Sequence, residues 1–236
     1  MRKSGLQLVG CALIAGCAQA TVRPTVVPPL NASTLLSEPF DRIDPERWQE
    51  VSLKGHSRFT ITVLDGQRAL QASSHAAASM LVHRLRADPH VYPHVSWRWR
   101  AERLLSTENL ARKDGSDAVA RVYVYFDTPG LPWQRRNIDY VWSSSLPVGT
   151  TLPSAFASTS MIIVAESGPE HLGAWRTVTR NVRDDYRRCF GQEPPDVLAI
   201  GLMTDTDSTG AEATAYYDDV LMTREPPAVH PPPASP

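Results

Sequence analysis

Apolar and polar residues alternate with a period of two along most of this chain, and that pattern predicts strands. In RFTITVLDGQRALQASS, Phe59, Ile61 and Val63 alternate with Thr60 and Thr62, and Asp65-Gly66 turns the chain into a partner running from Ala69 to Ser73. SMLVHRLRADPHVYPHVSWRWRAERLL holds two strand segments separated by Asp88-Pro89; in the second, Trp97 and Trp99 face one way and Arg98 and Arg100 the other. The clearest alternation is DAVARVYVYFDT, with Ala120, Val122, Val124 and Phe126 on one side and Arg121, Tyr123, Tyr125 and Asp127 on the other. NIDYVWSS, SMIIVAESG, the start of AWRTVTRNV, DVLAIGLMTDTD and ATAYYDDVLMT continue the series.

Helical signals are few. SEPFDRIDPERWQEV suggests one short helix, with Phe40 and Trp48 as anchors. In NVRDDYRRCFG, Asn181 or Asp184 can cap a second that stops at Gly191. LSTENLARKDGSDAV has no sustained period and reads as a long surface loop. Many short strands, with no glycine-rich strand-to-helix phosphate signature, predict a two-sheet antiparallel β-sandwich of jelly-roll or concanavalin type.

A chain of 236 residues, 42% hydrophobic and 21% charged, can bury one substantial core. Its net charge of -1 supplies no field to recruit nucleic acid. Proline gathers in VRPTVVPPL and EPPAVHPPPASP, so the expected folded domain is residues 37–224, between a linker at 21–36 and a tail at 225–236.

Residues 1–20 read as a signal peptide: Arg2 and Lys3 precede an apolar run too short to span a membrane. Leu13-Ile14-Ala15-Gly16-Cys17 resembles a bacterial lipobox, which implies lipidation at Cys17 and, with Ala18 following, an outer-membrane anchor where the cell has that membrane. Ordinary cleavage after Ala20 is the alternative and would release a soluble periplasmic or secreted protein. Beyond Cys11 and Cys17 the chain has only Cys189, so no disulfide can form within the mature domain.

SWRWR, SDAVARVYVYF, IDYVW, ESG before the W-x-x-V-x-R-N-V segment, and MTDTDST with AYYDDV together resemble a bacterial family of exported proteins catalogued as a domain of unknown function, over roughly Phe40 to Met222. A looser resemblance is to jelly-roll and concanavalin-like carbohydrate-binding domains, through Phe40-Asp41 and the closing Tyr216-Tyr217-Asp218-Asp219-Val220. It implies a glycan ligand, and a structural calcium where the first and last strands meet, with Asp41 and Asp219 as its ligands.

The residues themselves offer three kinds of chemistry. If the strands around Val95 and Ala118 are neighbours, Arg98, Arg100, Arg121, Tyr123 and Tyr125 form a cationic, aromatic face suited to a glycan or a peptide carboxylate. Trp133 in TPGLPWQRRN would add an exposed ring, and Asp205 and Asp207 a rim; the alternative is that these arginines pair with acids, Asp139 and Glu102 among them. Asp205, Asp207, Thr209 and Gly210 match the start of a calcium loop, but Tyr216 stands where an EF-hand needs glutamate. Asp218 and Asp219, being adjacent, should point to opposite faces of a strand unless a bulge intervenes. The expected role is binding of a glycan or related envelope ligand, with no catalytic residue assigned. The alternatives are a polysaccharide lyase or glycoside hydrolase, and a structural envelope protein with internally paired charges.

Overall fold

The alternating segments pair into two sheets. The computed structural model describes residues 33–131 and 134–228. Strands β1 (Thr34–Glu38), β2 (Trp48–Lys54), β3 (Arg58–Leu64), β4 (Gln67–His75), β5 (Ala78–Ala87), β6 (His94–Ala101) and β7 (Arg121–Phe126) are followed by β8 (Asn137–Ser143), β9 (Thr151–Pro153), β10 (Ser160–Ser167), β11 (Arg176–Asn181), β12 (Val197–Met203) and β13 (Glu212–Thr223). The first sheet runs β11-β6-β13-β4-β3, with β1 added to β13; the second runs β2-β5-β12-β7-β8-β10-β9. β1 begins inside the stretch read as linker, since Thr34 pairs with Thr223.

Every pairing is antiparallel except β8 with β10, which run parallel. The 144–159 connection therefore crosses over instead of turning back, and β9 within it pairs antiparallel with β10. The two-sheet sandwich is as expected, and that parallel pair is its one exception to antiparallel pairing among the described residues. Alternation alone does not encode strand direction, because period two is common to both pairings.

Between the sheets lie Trp97, Trp99, Tyr140, Trp142, Tyr186 and Tyr217, all fully buried. Trp97 meets Trp99 edge-on at 5.4 Å and Tyr140 at 5.3 Å, which locks the inward faces of β6 and β8 together. Phe40 packs on Trp48 at 5.1 Å, and the Trp48 indole donates to Glu38 at 2.9 Å. Those anchors are as expected, but the segment between them is a turn and not a helix, and Trp48 already opens β2. Helix α1 (Val182–Phe190) does form, capped by the Asn181 side chain accepting from Asp184 N–H at 3.1 Å and closed by Gly191 at φ 68°.

The 102–120 segment is a cover, not a free loop. Glu108 accepts from Ser143 Oγ at 2.5 Å and Ser144 N–H at 2.9 Å, while Leu110 and Ala118 pack over Val141, Ile162 and Val164. It thus seals the outer side of β8 and β10, whereas on the outer side of β5, β12 and β7 the side chains of Arg84, Tyr123 and Tyr125 reach solvent.

Candidate functional site

Strand register builds the open face. Val82, Gly201, Tyr123 and Asp139 form one row across β5, β12, β7 and β8, flanked by a row of Arg84, Ala199, Tyr125 and Asn137. The outward positions of β12 beside the tyrosines, Ala199 and Gly201, are small, and the tyrosines use the space. Tyr125 Oη donates to Met80 Sδ at 3.5 Å, two strands away, so its ring must lie across β12. Tyr123 stacks beside it, with centroids 5.8 Å apart and planes at 20°. A Cβ on Gly201 would lie 3.5 Å from Met80 Sδ and 3.6 Å from Tyr123 Cβ, ordinary contact distances, so a side chain longer than alanine would press on the packing above it. Both rings remain half-buried. Burial pushes both phenols well above their ordinary range, so they are neutral donors and acceptors at any physiological pH.

Arg121 organises the floor next to them. Its side chain is 3% exposed; Nε donates to Asp205 Oδ1 at 2.8 Å, Nη1 to Asp139 Oδ2 and Nη2 to the Ser116 carbonyl. Asp205 Oδ1 also accepts Ala118 N–H at 3.0 Å. One guanidinium thus joins β7, β8, the 102–120 cover and the turn after β12. Burial alone would lower the Arg121 pKa, but Asp139 and Asp205 hold it well above normal. Both carboxylates are raised, chiefly by burial and against the pull of Arg121, Asp205 to about 7. Asp139 is 2% exposed, and its Oδ1 is buried without a hydrogen-bond partner among the described residues. Tyr123 stands directly across the strand pair, and its phenol offsets part of the rise at Asp139.

The acidic turn that follows is drawn inward. Carboxylate oxygens of Asp117, Asp205 and Asp207 lie within 4.8 Å of one another. Protein donors already serve each: Asp117 accepts Ser208 N–H at 3.1 Å and Thr209 N–H at 2.7 Å, and Asp207 faces Lys54 at 3.5 Å.

Residues 46–221 match the model of a family described as protein of unknown function, DUF3047. The chain belongs to that family. No curated protein matches it by sequence. Among solved structures, the family 30 carbohydrate-binding module of a Clostridium thermocellum cellulosomal cellulase is similar at 11% identity and a TM-score of 0.46, over 81% of this chain and 99% of that one. The xyloglucanase domain of a type three effector from Sinorhizobium fredii is similar at 7% identity and a TM-score of 0.45, over 78% and 96%.

In this DUF3047 chain the sequence-predicted face is split. β6 and β7 belong to different sheets, so Arg98 and Arg100 lie on the opposite outer side from Arg121, Tyr123 and Tyr125. Arg100 pairs with Asp65 and Glu102, each at 2.7 Å. Arg98 lies 4.8 Å over the Trp175 ring and contacts Asp219 at 3.1 Å and Asp218 at 3.6 Å. The two acids reach one guanidinium because β13 bulges there, with Asp219 at φ 47°, so the expected opposition of faces does not hold. Burial first, and then the Asp219 charge, raise Asp218 to about 7, with Asp41 adding to the rise. Asp41 and Asp219 thus share a neighbourhood with Asp218, but Asp219 faces Arg98.

Asp205 faces Arg121, whereas Asp207 faces Lys54. His56 pairs with Glu50, His75 with Glu212 and His171 with Glu166. Trp133 and Cys17 fall outside the described residues. Sequence reasoning missed the roles of Gly201, Met80 and the spare oxygen of Asp139. Two signals pointed to them: one aspartate inside the otherwise apolar IDYVW run, and one glycine inside a strand.

Proposed function

We propose that this protein binds an envelope glycan on the open half of its second sheet, as an exported and lipid-anchored molecule, and that it does so without catalysis. The observation that carries this reading is the Tyr123–Tyr125 pair, two stacked, partly exposed rings held against Met80 and Gly201 on the outer face of that sheet. A half-exposed aromatic ring accepts the C–H face of a pyranose, while its phenol meets hydroxyls. Asp139 and Asp205, the carboxylates nearest the rings, are buried on Arg121, which favours binding over acid–base work.

The direct test is affinity electrophoresis of the full chain through soluble polysaccharides. Tyr123→Ala with Tyr125→Ala should weaken binding roughly 10- to 100-fold, about 1.5–3 kcal/mol. Gly201→Val, which pushes on the same rings without removing them, should weaken it in the same direction. Unchanged retardation in both variants would reject this face as the site.

The anchor rests on the lipobox-like residues ending at Cys17. Cys17→Ala should shift the protein from the membrane to the soluble fraction of cells that make it. A wild-type protein already soluble would point to ordinary cleavage after Ala20.

A further inference from the structure

The charge balance under the tyrosines narrows the ligand class, given the glycan reading above. Arg121 is the buried cation of this face, and it is already matched to two carboxylates, while Nη2 donates to the Ser116 carbonyl. At 3% exposure, with both neighbouring carboxylates already paired to it, that guanidinium does not reach an incoming anion. The unmet demand is for donors: Asp139 keeps one oxygen without a hydrogen bond, and Tyr123 stands directly opposite it on β7. A phenol that turns its hydrogen toward a buried carboxylate presents its oxygen outward as a polarised acceptor.

We propose that Tyr123, backed by Asp139, accepts a hydrogen bond from a hydroxyl of a neutral glycan, and that the same cluster turns away uronates and other polyanions. Tyr123 is the contact residue. Asp139 is a positioning residue that fixes the direction of the phenol proton. Arg84, exposed on β5 across Ala199 from Tyr125, is the cation in the tyrosine rows through which an anionic chain would bind.

The full chain should be titrated by calorimetry with a neutral β-glucan and with polygalacturonate of similar length. The expected result is binding of the neutral chain, with polygalacturonate at least ten-fold weaker. Tyr123→Phe keeps the ring, removes only the oxygen, and should weaken the neutral chain about ten-fold. Asp139→Asn removes the excess charge and should narrow the gap between the two polymers; a thermal melt of each variant separates lost binding from lost folding. Wild-type protein that binds polygalacturonate as tightly as β-glucan, with that binding abolished in Arg84→Gln, would overturn the proposal while leaving the tyrosine face standing. Tyr123→Phe with unchanged affinity for the neutral chain would also overturn it. Retention of neither polymer would overturn both this proposal and the glycan reading beneath it.

Discussion

Arg121→Met is expected to destabilise the protein by about 3–5 kcal/mol, enough to unfold much of it at 37 °C. The side chain volumes are similar, so the loss is electrostatic. Without the guanidinium, Asp139 and Asp205 are buried with no compensating charge, and the Ser116 carbonyl loses its donor. The 102–120 cover then keeps its Glu108 and Leu110 contacts but loses its hold on β7. Adding Asp139→Asn and Asp205→Asn to Arg121→Met should recover most of the loss, because a neutral cluster no longer needs a cation. Urea denaturation of the three proteins decides the matter. An Arg121→Met protein within about 1 kcal/mol of wild type would show that the carboxylates are protonated already, and that the cluster holds nothing together.

Thermal stability should fall as pH rises from 5 to 8, the reverse of the usual acid lability. Asp205 and Asp218 are each raised to about 7, mainly by burial, whereas an unfolded aspartate titrates near 4. Between those values the folded chain holds more protons than the unfolded one. The stabilisation is therefore complete below the unfolded pKa and lost as pH passes through about 7. For Asp205 the linkage is on the order of a few kcal/mol, and it is smaller for Asp218, which lies nearer solvent. Because Asp139 shares Arg121 with Asp205, the proton belongs to the pair and not to one oxygen.

His83, held low by burial, works the opposite way near and below pH 6.5. Glu193 beside Arg183, whose pKa is lowered, matters only below its unfolded value. Comparing Asp205→Asn with wild type removes both contributions: the variant should have a flatter melting curve against pH. A wild-type Tm that climbs between pH 5 and 8, with no difference in slope from the variant, would refute the assignment.

Most of the fold was legible because alternation reports burial directly. The Arg58–Leu64 and Gln67–His75 hairpin follows from its residues: Asp65 at φ 53° and Gly66 at φ 78° make the two-residue turn that Asp-Gly favours. The inward Trp97 and Trp99 and the capped helix at Asn181 followed from equally local rules. The candidate site was only half legible. Alternation put Arg98 and Arg121 on outward faces, correctly, but could not say that β6 and β7 lie in different sheets, since sheet membership depends on contacts distant in sequence. The bulge at Asp219 was hidden for a related reason: nothing in YYDDV marks the residue that will take a positive φ. The 102–120 segment misled because its polar composition conceals Leu110, Ala118 and Glu108, the residues that dock it.

The order of strands also decides when this chain can fold. β13 lies between β6 and β4 in one sheet, and β12 lies between β5 and β7 in the other. An interior strand that joins the two halves of each layer is therefore among the last residues to be synthesised. Before residues 197–223 emerge, the first sheet consists of an isolated β3–β4 hairpin and a β6–β11 pair, and the second of two fragments that share no ladder. Pairings this distant in sequence form slowly, because the closure entropy is spent before the contacts reward it. A chain still missing its final strands is consequently a set of separate sheet fragments, and it closes into a sandwich only after β12 and β13 join them.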